Sequence, residues 1–166
     1  MKNKIRLAVI TFAVTFVITF LINSLLTNGF EADTYISEEY QNYCEEIGEM
    51  YCVCPELLMA MIETESSGNP DATNGTCKGL MQVSEKWHRD RMERLGVKDI
   101  YDPYGNILVA TDYLMELAEK YEDLGLVLDL YNGNSKATQN AEHGVLSEYA
   151  AKILHRTEML ERIHGK

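Results

Sequence analysis

Residues 55–72 read PELLMAMIETESSGNPDA. Pro55 stands where a helix tolerates proline, in its first turn, and Leu57 to Ile62 are six apolar residues in a row. A helix apolar on every side has no solvent face, so this stretch predicts a short, central, buried helix ending near Glu65. The following SSGNPDATNGTCKG, residues 66–79, is a glycine-, serine- and asparagine-rich loop. Working outward, Ile36 to about Tyr51 reads as a helix, with Ser37 as N-cap and Glu38 and Glu39 in its first turn. Ser84 to about Leu95 reads as another. Asp102-Pro103 opens a long helix carrying Ile107, Ala110, Leu114, Leu117, Ala118 and Tyr121 along one face. Leu126 to Tyr131 and Val145 to Ile163 complete the set. Nothing after Phe30 alternates with period two for long enough to be a strand. The fold expected is all-α, built around the 55–65 helix.

The chain has 166 residues, which suits one compact domain and a tail. Three of its 15 basic residues, Lys2, Lys4 and Arg6, precede residue 31, while all 26 acidic residues lie from Glu31 onward. That leaves 12 basic against 26 acidic, a net charge of −14, over residues 31–166. Such a surface repels phosphate backbones, so nucleic acid is excluded as a partner. Leu7 to Leu26 is nearly all apolar, and about twenty residues at about 1.5 Å each match a bilayer core. Basic residues lie before this run and Glu31, Asp33, Glu38 and Glu39 after it. Residues 1–30 are therefore expected to be a transmembrane signal anchor with the N-terminus inside, and residues 31–166 an extracytoplasmic domain. A cleaved signal peptide, which would make the domain secreted, is the competing reading; the run is long for one, and Thr27-Asn28-Gly29 is a mediocre cleavage site.

Cys44, Cys52, Cys54 and Cys77 are an even number in an exported, disulfide-permissive segment, and three pairings are open. On a helix reaching Met50, Cys44 and Cys52 would stand roughly 12 Å apart, too far for a bridge. A bridge from Cys52 or Cys54 to Cys77 would tie the start of the central helix to its loop. Cys52-x-Cys54 with Cys77 and His88 has no recognised zinc spacing, and His143, His155 and His164 read as surface histidines. No metal or cofactor is expected.

Glu63 and Glu65 stand two apart near the end of the central helix, so they face different directions. Glu65 follows Leu58 and Met61 on the core-facing line; Glu63 follows Glu56, Met59 and Ala60. Partial burial and the negative end of the helix dipole would both raise the Glu65 pKa. A carboxyl kept protonated near neutrality is what glycosidic cleavage needs to protonate a leaving oxygen. The plainer role is a carboxyl bonded to the adjoining loop. In Gly79-Leu80-Met81-Gln82, a glycine permits close backbone approach and Gln82 offers an amide donor and acceptor. Tyr131-Asn132-Gly133 adds an aromatic ring, an amide and a turn, and could equally be a helix C-cap.

In order, LLMAMIETESSGNPDA, KGLMQVS, DPYGNILVATDYLMELAEKY, LDLYNG and EYAAKIL resemble the soluble lytic transglycosylase domain family. The resemblance spans about Ile36 to Leu154. It implies a lysozyme-like helical fold, cleavage of peptidoglycan glycan strands, and Glu65, followed by Ser66, as the catalytic residue. It places Gln82, Met81, Tyr131, Asn132, Ser66 and either Thr73 or Asn74 at the substrate. Asn106 and Tyr149 match family positions expected to be chiefly structural. The usual AYNAG reads Leu130-Tyr131-Asn132-Gly133-Asn134 here, and the cysteines lie outside the family pattern; they read as local cross-links around the catalytic loop.

The reaction so implied uses one carboxyl twice and leaves a 1,6-anhydro muramoyl end without water. A glycosidase of the two-carboxylate kind would need a second Asp or Glu across the groove; Asp71 and Asp102 exist, but no motif points to either. Lysozyme-like hydrolysis and a non-catalytic, wall-binding scaffold are the alternatives. Membrane tethering and strong negative charge together suggest restrained, local wall opening for a secretion, conjugation or growth complex.

Overall fold

The computed structural model describes residues 34–166. The run at residues 1–30, with the signal-anchor reading placed on it, lies outside the described residues. Among those described, no helix is long and apolar enough to cross a membrane. The order is α1 (Glu38–Tyr51), α2 (Pro55–Ser66), α3 (Glu85–Leu95), α4 (Pro103–Lys120), α5 (Leu124–Tyr131), α6 (Ala137–Glu142) and α7 (Glu148–Ile163). Among the described residues, β pairing is limited to two isolated bridges, Thr73 with Lys78 and Lys78 with Val83. The all-α expectation holds for this segment.

Helix α2 is the axis of the fold. Its residues from Glu56 to Glu63 are all buried, and it packs between α1 and α7. A helix with no solvent face is stable only when neighbours cover every side, so α2 is held by tertiary packing rather than by propensity. Its first turn carries Glu56, whose exposure is 0 %. A buried carboxylate needs partners, and the C-terminal residues supply them: His164 Nδ1 at 2.8 Å and Lys166 Nζ at 2.6 Å. Burial pushes the Glu56 pKa up, but those two hydrogen bonds prevail and hold it at about 2. The end of the chain is thus clipped to the start of the central helix.

Caps set the boundaries. Asp102 accepts from Gly105 N at 2.7 Å and starts α4; Asp123 accepts from Leu126 N at 3.0 Å and starts α5 two residues before the expected Leu126. Ser147 accepts from Ala150 N at 3.0 Å, so α7 begins at Glu148 rather than Val145. Ser37 occupies the N-cap position of α1, but its hydroxyl makes no capping bond. The core stripe of α4 runs through Ile107, Ala110, Leu114 and Leu117, whereas Ala118 and Tyr121, expected on the same face, are exposed where the helix outruns its neighbours. Helix α6 was not expected. It buries only Ala137 and carries no apolar period; Asp129, buried on α5, accepts from Asn134 and Asn140 and holds the segment in place.

The expected disulfides are absent, and all four cysteines are free thiols. Cys54 caps α2 at one end and lies 3.1 Å from Glu56 Oε2, while Cys77 sits close enough to Glu65, at the other end, to feel its charge. A twelve-residue helix is about 18 Å long, several times the reach of a disulfide. Cys44 is buried in the core on α1, where desolvation pushes its thiol up to about 12.

Candidate active site

The two glutamates at the end of α2 are driven in opposite directions. Glu63 receives a two-pronged contact from Arg156, Nε to Oε2 at 2.6 Å and a terminal nitrogen to Oε1 at 3.0 Å, plus the backbone N–H of Tyr35 at 3.0 Å. Burial would raise its pKa, but the Arg156 and neighbouring hydrogen bonds outweigh it and keep Glu63 ionised. Glu65 has no such cation against it. Its pKa is raised, first by burial, with the Tyr149 hydrogen bond and the more distant Lys152 charge opposing. Neighbouring carboxyls whose environments separate their protonation states mark an acid–base assignment, and Glu65 is the one poised to carry a proton.

Tyr149 is the residue that motif reading undervalued. Expected to be chiefly structural, it donates its phenolic hydrogen to Glu65 Oε1 across the gap between α7 and α2. Desolvation, and after it the Glu65 charge, push the Tyr149 pKa far up, so its hydroxyl stays a donor at any ordinary pH. No spacing argument links positions 65 and 149; only the packing of α7 on α2 does.

The Gly79–Gln82 turn is assembled by one side chain. Asn106, wholly buried on α4, donates from Nδ2 to Lys78 O (2.9 Å) and Ile100 O (2.8 Å), and accepts from Met81 N at 2.8 Å. Gly79 has φ +76°, and a Cβ there would lie 2.3 Å from Asn106 Nδ2. Glycine is required twice over, by conformation and by space. Gln82, at the other end of the turn, holds φ 48° without being glycine, a strained backbone held by the Lys78–Val83 hydrogen bonds. Its amide Nε2 donates to Ala72 O and Gly79 O, tying the 66–79 loop to the turn.

Gln82, Tyr131 and Asn132 line a common cavity of about 530 Å³, with Cys77, Trp87, His88 and Tyr113 among its other walls. Glu65 does not line it, but the Glu65 charge acts on Cys77 and Tyr131, which do. Tyr131 donates its hydroxyl to Met81 O at 2.8 Å, and its ring stands 5.6 Å from that of Tyr113. The structure therefore gathers Gln82, Tyr131 and Asn132 around one cavity, and of these three Tyr131 feels the Glu65 charge.

Other expected substrate contacts are placed differently. Met81 is 0 % exposed; its side chain belongs to the core, and only its backbone serves the site. Ser66 turns its hydroxyl back onto Ile62 O at 3.1 Å. Thr73 and Asn74 are exposed, and both side chains close the 73–77 turn: Thr73 Oγ1 donates to Cys77 O, and Asn74 Oδ1 accepts from Cys77 N. Asp102 is a cap, as above. Glu116 on α4 lines the cavity too, but Lys120 and Arg91 pair with it and hold its pKa down.

The site is thus a central helix ending in a half-buried glutamate with a raised pKa, close to a cavity with polar and aromatic walls. Comparison with known proteins narrows this. The sequence profile described as Transglycosylase SLT domain matches residues 42–153, more than half of the chain, and the chain belongs to that family. It is also 33 % identical over 112 residues to a protein named Transglycosylase from Enterobacteria phage PRD1, a match covering 66 % of this chain and 40 % of the relative. The chain thus matches about two fifths of the length of that curated relative.

Proposed function

We propose that the protein is a peptidoglycan lytic transglycosylase in which Glu65 serves as the single acid and base. The observation that carries this reading is the pair formed by a half-buried Glu65, biased toward its protonated form, and the Tyr149 hydroxyl aimed at it. Protonated Glu65 donates to the glycosidic oxygen between N-acetylmuramic acid and N-acetylglucosamine. The carboxylate left behind accepts the Tyr149 hydrogen bond, which stabilises it for the second step. It then removes the proton from the C6 hydroxyl of the muramoyl residue, whose oxygen closes onto C1 and leaves a 1,6-anhydro end. Tyr131 has spent its hydrogen on Met81 O, so its oxygen presents lone pairs rather than a donor, the polarity suited to a ring gaining positive charge. Glu116, ion-paired on the α4 wall, is a poor second carboxylate for hydrolysis.

Membrane tethering through residues 1–30, an extracytoplasmic domain and service to a secretion or conjugation complex belong to the same proposal and are supported by the sequence pattern alone. Retention in the membrane pellet after an alkaline carbonate wash is the expected behaviour of the anchored chain. The reaction is tested by mass spectrometry of purified peptidoglycan digested with the full-length chain beside Glu65→Gln. Anhydro-ended muropeptides that disappear with Glu65→Gln are expected. Reducing ends that disappear with it would make the enzyme a hydrolase, and no products from the folded chain would leave a wall-binding scaffold.

A further inference from the structure

No spacing in the sequence offers Cys54 a set of metal-binding neighbours, yet the fold brings two carboxyls to it, one from the far end of the chain. Cys54 is the N-cap of α2, and Glu56 stands in the first turn of that helix. Glu161 lies in the last turn of α7, 107 positions after Cys54. Cys54 Sγ is 3.1 Å from Glu56 Oε2 and 3.4 Å from Glu161 Oε1, and the three atoms all fall within 4.8 Å of one another.

These contacts are short of hydrogens. A thiol has one to donate, and an ionised carboxylate has none. Cys54 faces two carboxylate oxygens, so one of its two contacts sets lone pairs against lone pairs. A divalent cation between the three atoms removes that conflict. Glu56 is already turned for it: His164 and Lys166 both hold its Oε1, which leaves Oε2 to face the sulfur. Outer partners of this kind fix the orientation of metal ligands.

The donor set selects the ion. Zinc holds thiolate sulfur at about 2.3 Å and carboxylate oxygen at about 2.0 Å, and at tetrahedral angles such ligands stand about 3.3–3.5 Å apart. The spacing around Cys54 is close to that. Calcium and magnesium take oxygen ligands and leave a thiol aside. Cys54 and Glu161 are only partly buried, so an ion reaches the buried Glu56 oxygen from their side.

We infer that Cys54, Glu56 and Glu161 form a zinc-binding site that joins the start of α2 to the end of α7, with water as the fourth ligand. On binding, the Cys54 S–H bond breaks, its electron pair passes to the metal, and the proton leaves to solvent. Cys54 and Glu65 are eleven positions apart, roughly 16 Å along the helix, so the ion acts on stability and not on the reacting sugar. The site stands whether or not the catalytic reading does.

Cobalt(II) is the probe, because a thiolate ligand gives it an intense near-ultraviolet charge-transfer band. The full-length chain, reduced and stripped of metal, is expected to bind one equivalent of cobalt with that band, and zinc should displace it. Cys54→Ser should abolish the band, Glu161→Gln should weaken cobalt binding by roughly tenfold or more, and Cys77→Ser should leave both unchanged. Zinc at about a hundred times its Kd should raise the Tm of the native chain by roughly 5–10 °C and that of Cys54→Ser hardly at all. A native chain without the band, or a band that survives Cys54→Ser with native circular dichroism, overturns the site. Should Cys54→Ser fail to fold, Glu161→Gln decides: cobalt affinity equal to that of the native chain overturns the site as well.

Discussion

Glu65 is a carboxyl whose surroundings favour the proton, and this has a cost that can be measured. A carboxyl with a raised native pKa binds protons more tightly in the folded than in the unfolded state, so stability falls as pH rises through the interval between the two. Below the ordinary carboxylate range both states are protonated and the cost vanishes. Glu65→Gln should therefore melt a few degrees above the native chain at pH 8, roughly 2–5 °C, with the gap closing toward pH 4 in calorimetric scans. Tyr149 acts on the same group with the opposite sign. Its hydrogen bond favours the carboxylate, so Tyr149→Phe should push the Glu65 pKa higher still and move the alkaline limb of the kcat/KM profile upward. The maximal rate should fall about tenfold, the worth of one hydrogen bond to a charged group. An unchanged limb would mean that the titrating group is another residue.

Among the elements, α2 depends most on its neighbours. Its start is closed by Glu56, held by His164 and Lys166, and its end by Glu63, held by Arg156. Both clamps come from the last stretch of the chain, which joins the stability of α2 to α7 and the residues after it. Glu56 is held at about 2, below the usual carboxylate range, so its contribution is complete above about pH 4.3 and is lost as pH falls toward 2. Glu56→Gln should destabilise the chain at pH 7 by about 2 kcal/mol in urea titrations, a figure discounted because Lys166 is half exposed. The same variant should lose less stability than the native chain between pH 5 and pH 2. Equal acid sensitivity in both would assign acid unfolding to other carboxylates.

At the scale of the molecule, net charge and groove pull against each other. The chain carries −11, yet the proposed substrate is a wall that holds anionic groups of its own. Screening shortens that repulsion to about 10 Å at 0.1 M salt. Turnover of intact sacculi should therefore rise two- to fivefold, as an order of magnitude, between 20 and 200 mM sodium chloride, while short neutral chitooligosaccharides bind about equally throughout. Turnover that falls with salt would point to a local basic surface as the docking face.

The helices around residues 38–51, 55–66, 85–95 and 103–120 were legible because each announces itself locally, by an apolar run, a proline in the first turn or an aspartate cap. Glu65 stood out through the Glu65-Ser66 pair of the family resemblance; the face of the helix does not separate it from Glu63, because α2 is buried on every side up to Glu63. Gly79 and Gln82 were visible as a motif, though what binds them into a turn, the three hydrogen bonds of Asn106, was not. The rest depended on contacts between distant parts of the chain. Tyr149 meets Glu65 across 84 positions, Arg156 meets Glu63 across 93 and Lys166 meets Glu56 across 110. Local patterns carry propensity and face, and these set helices and candidate carboxyls. Which carboxyl keeps its proton depends on what is packed against it, and that is decided only when α7 closes on α2.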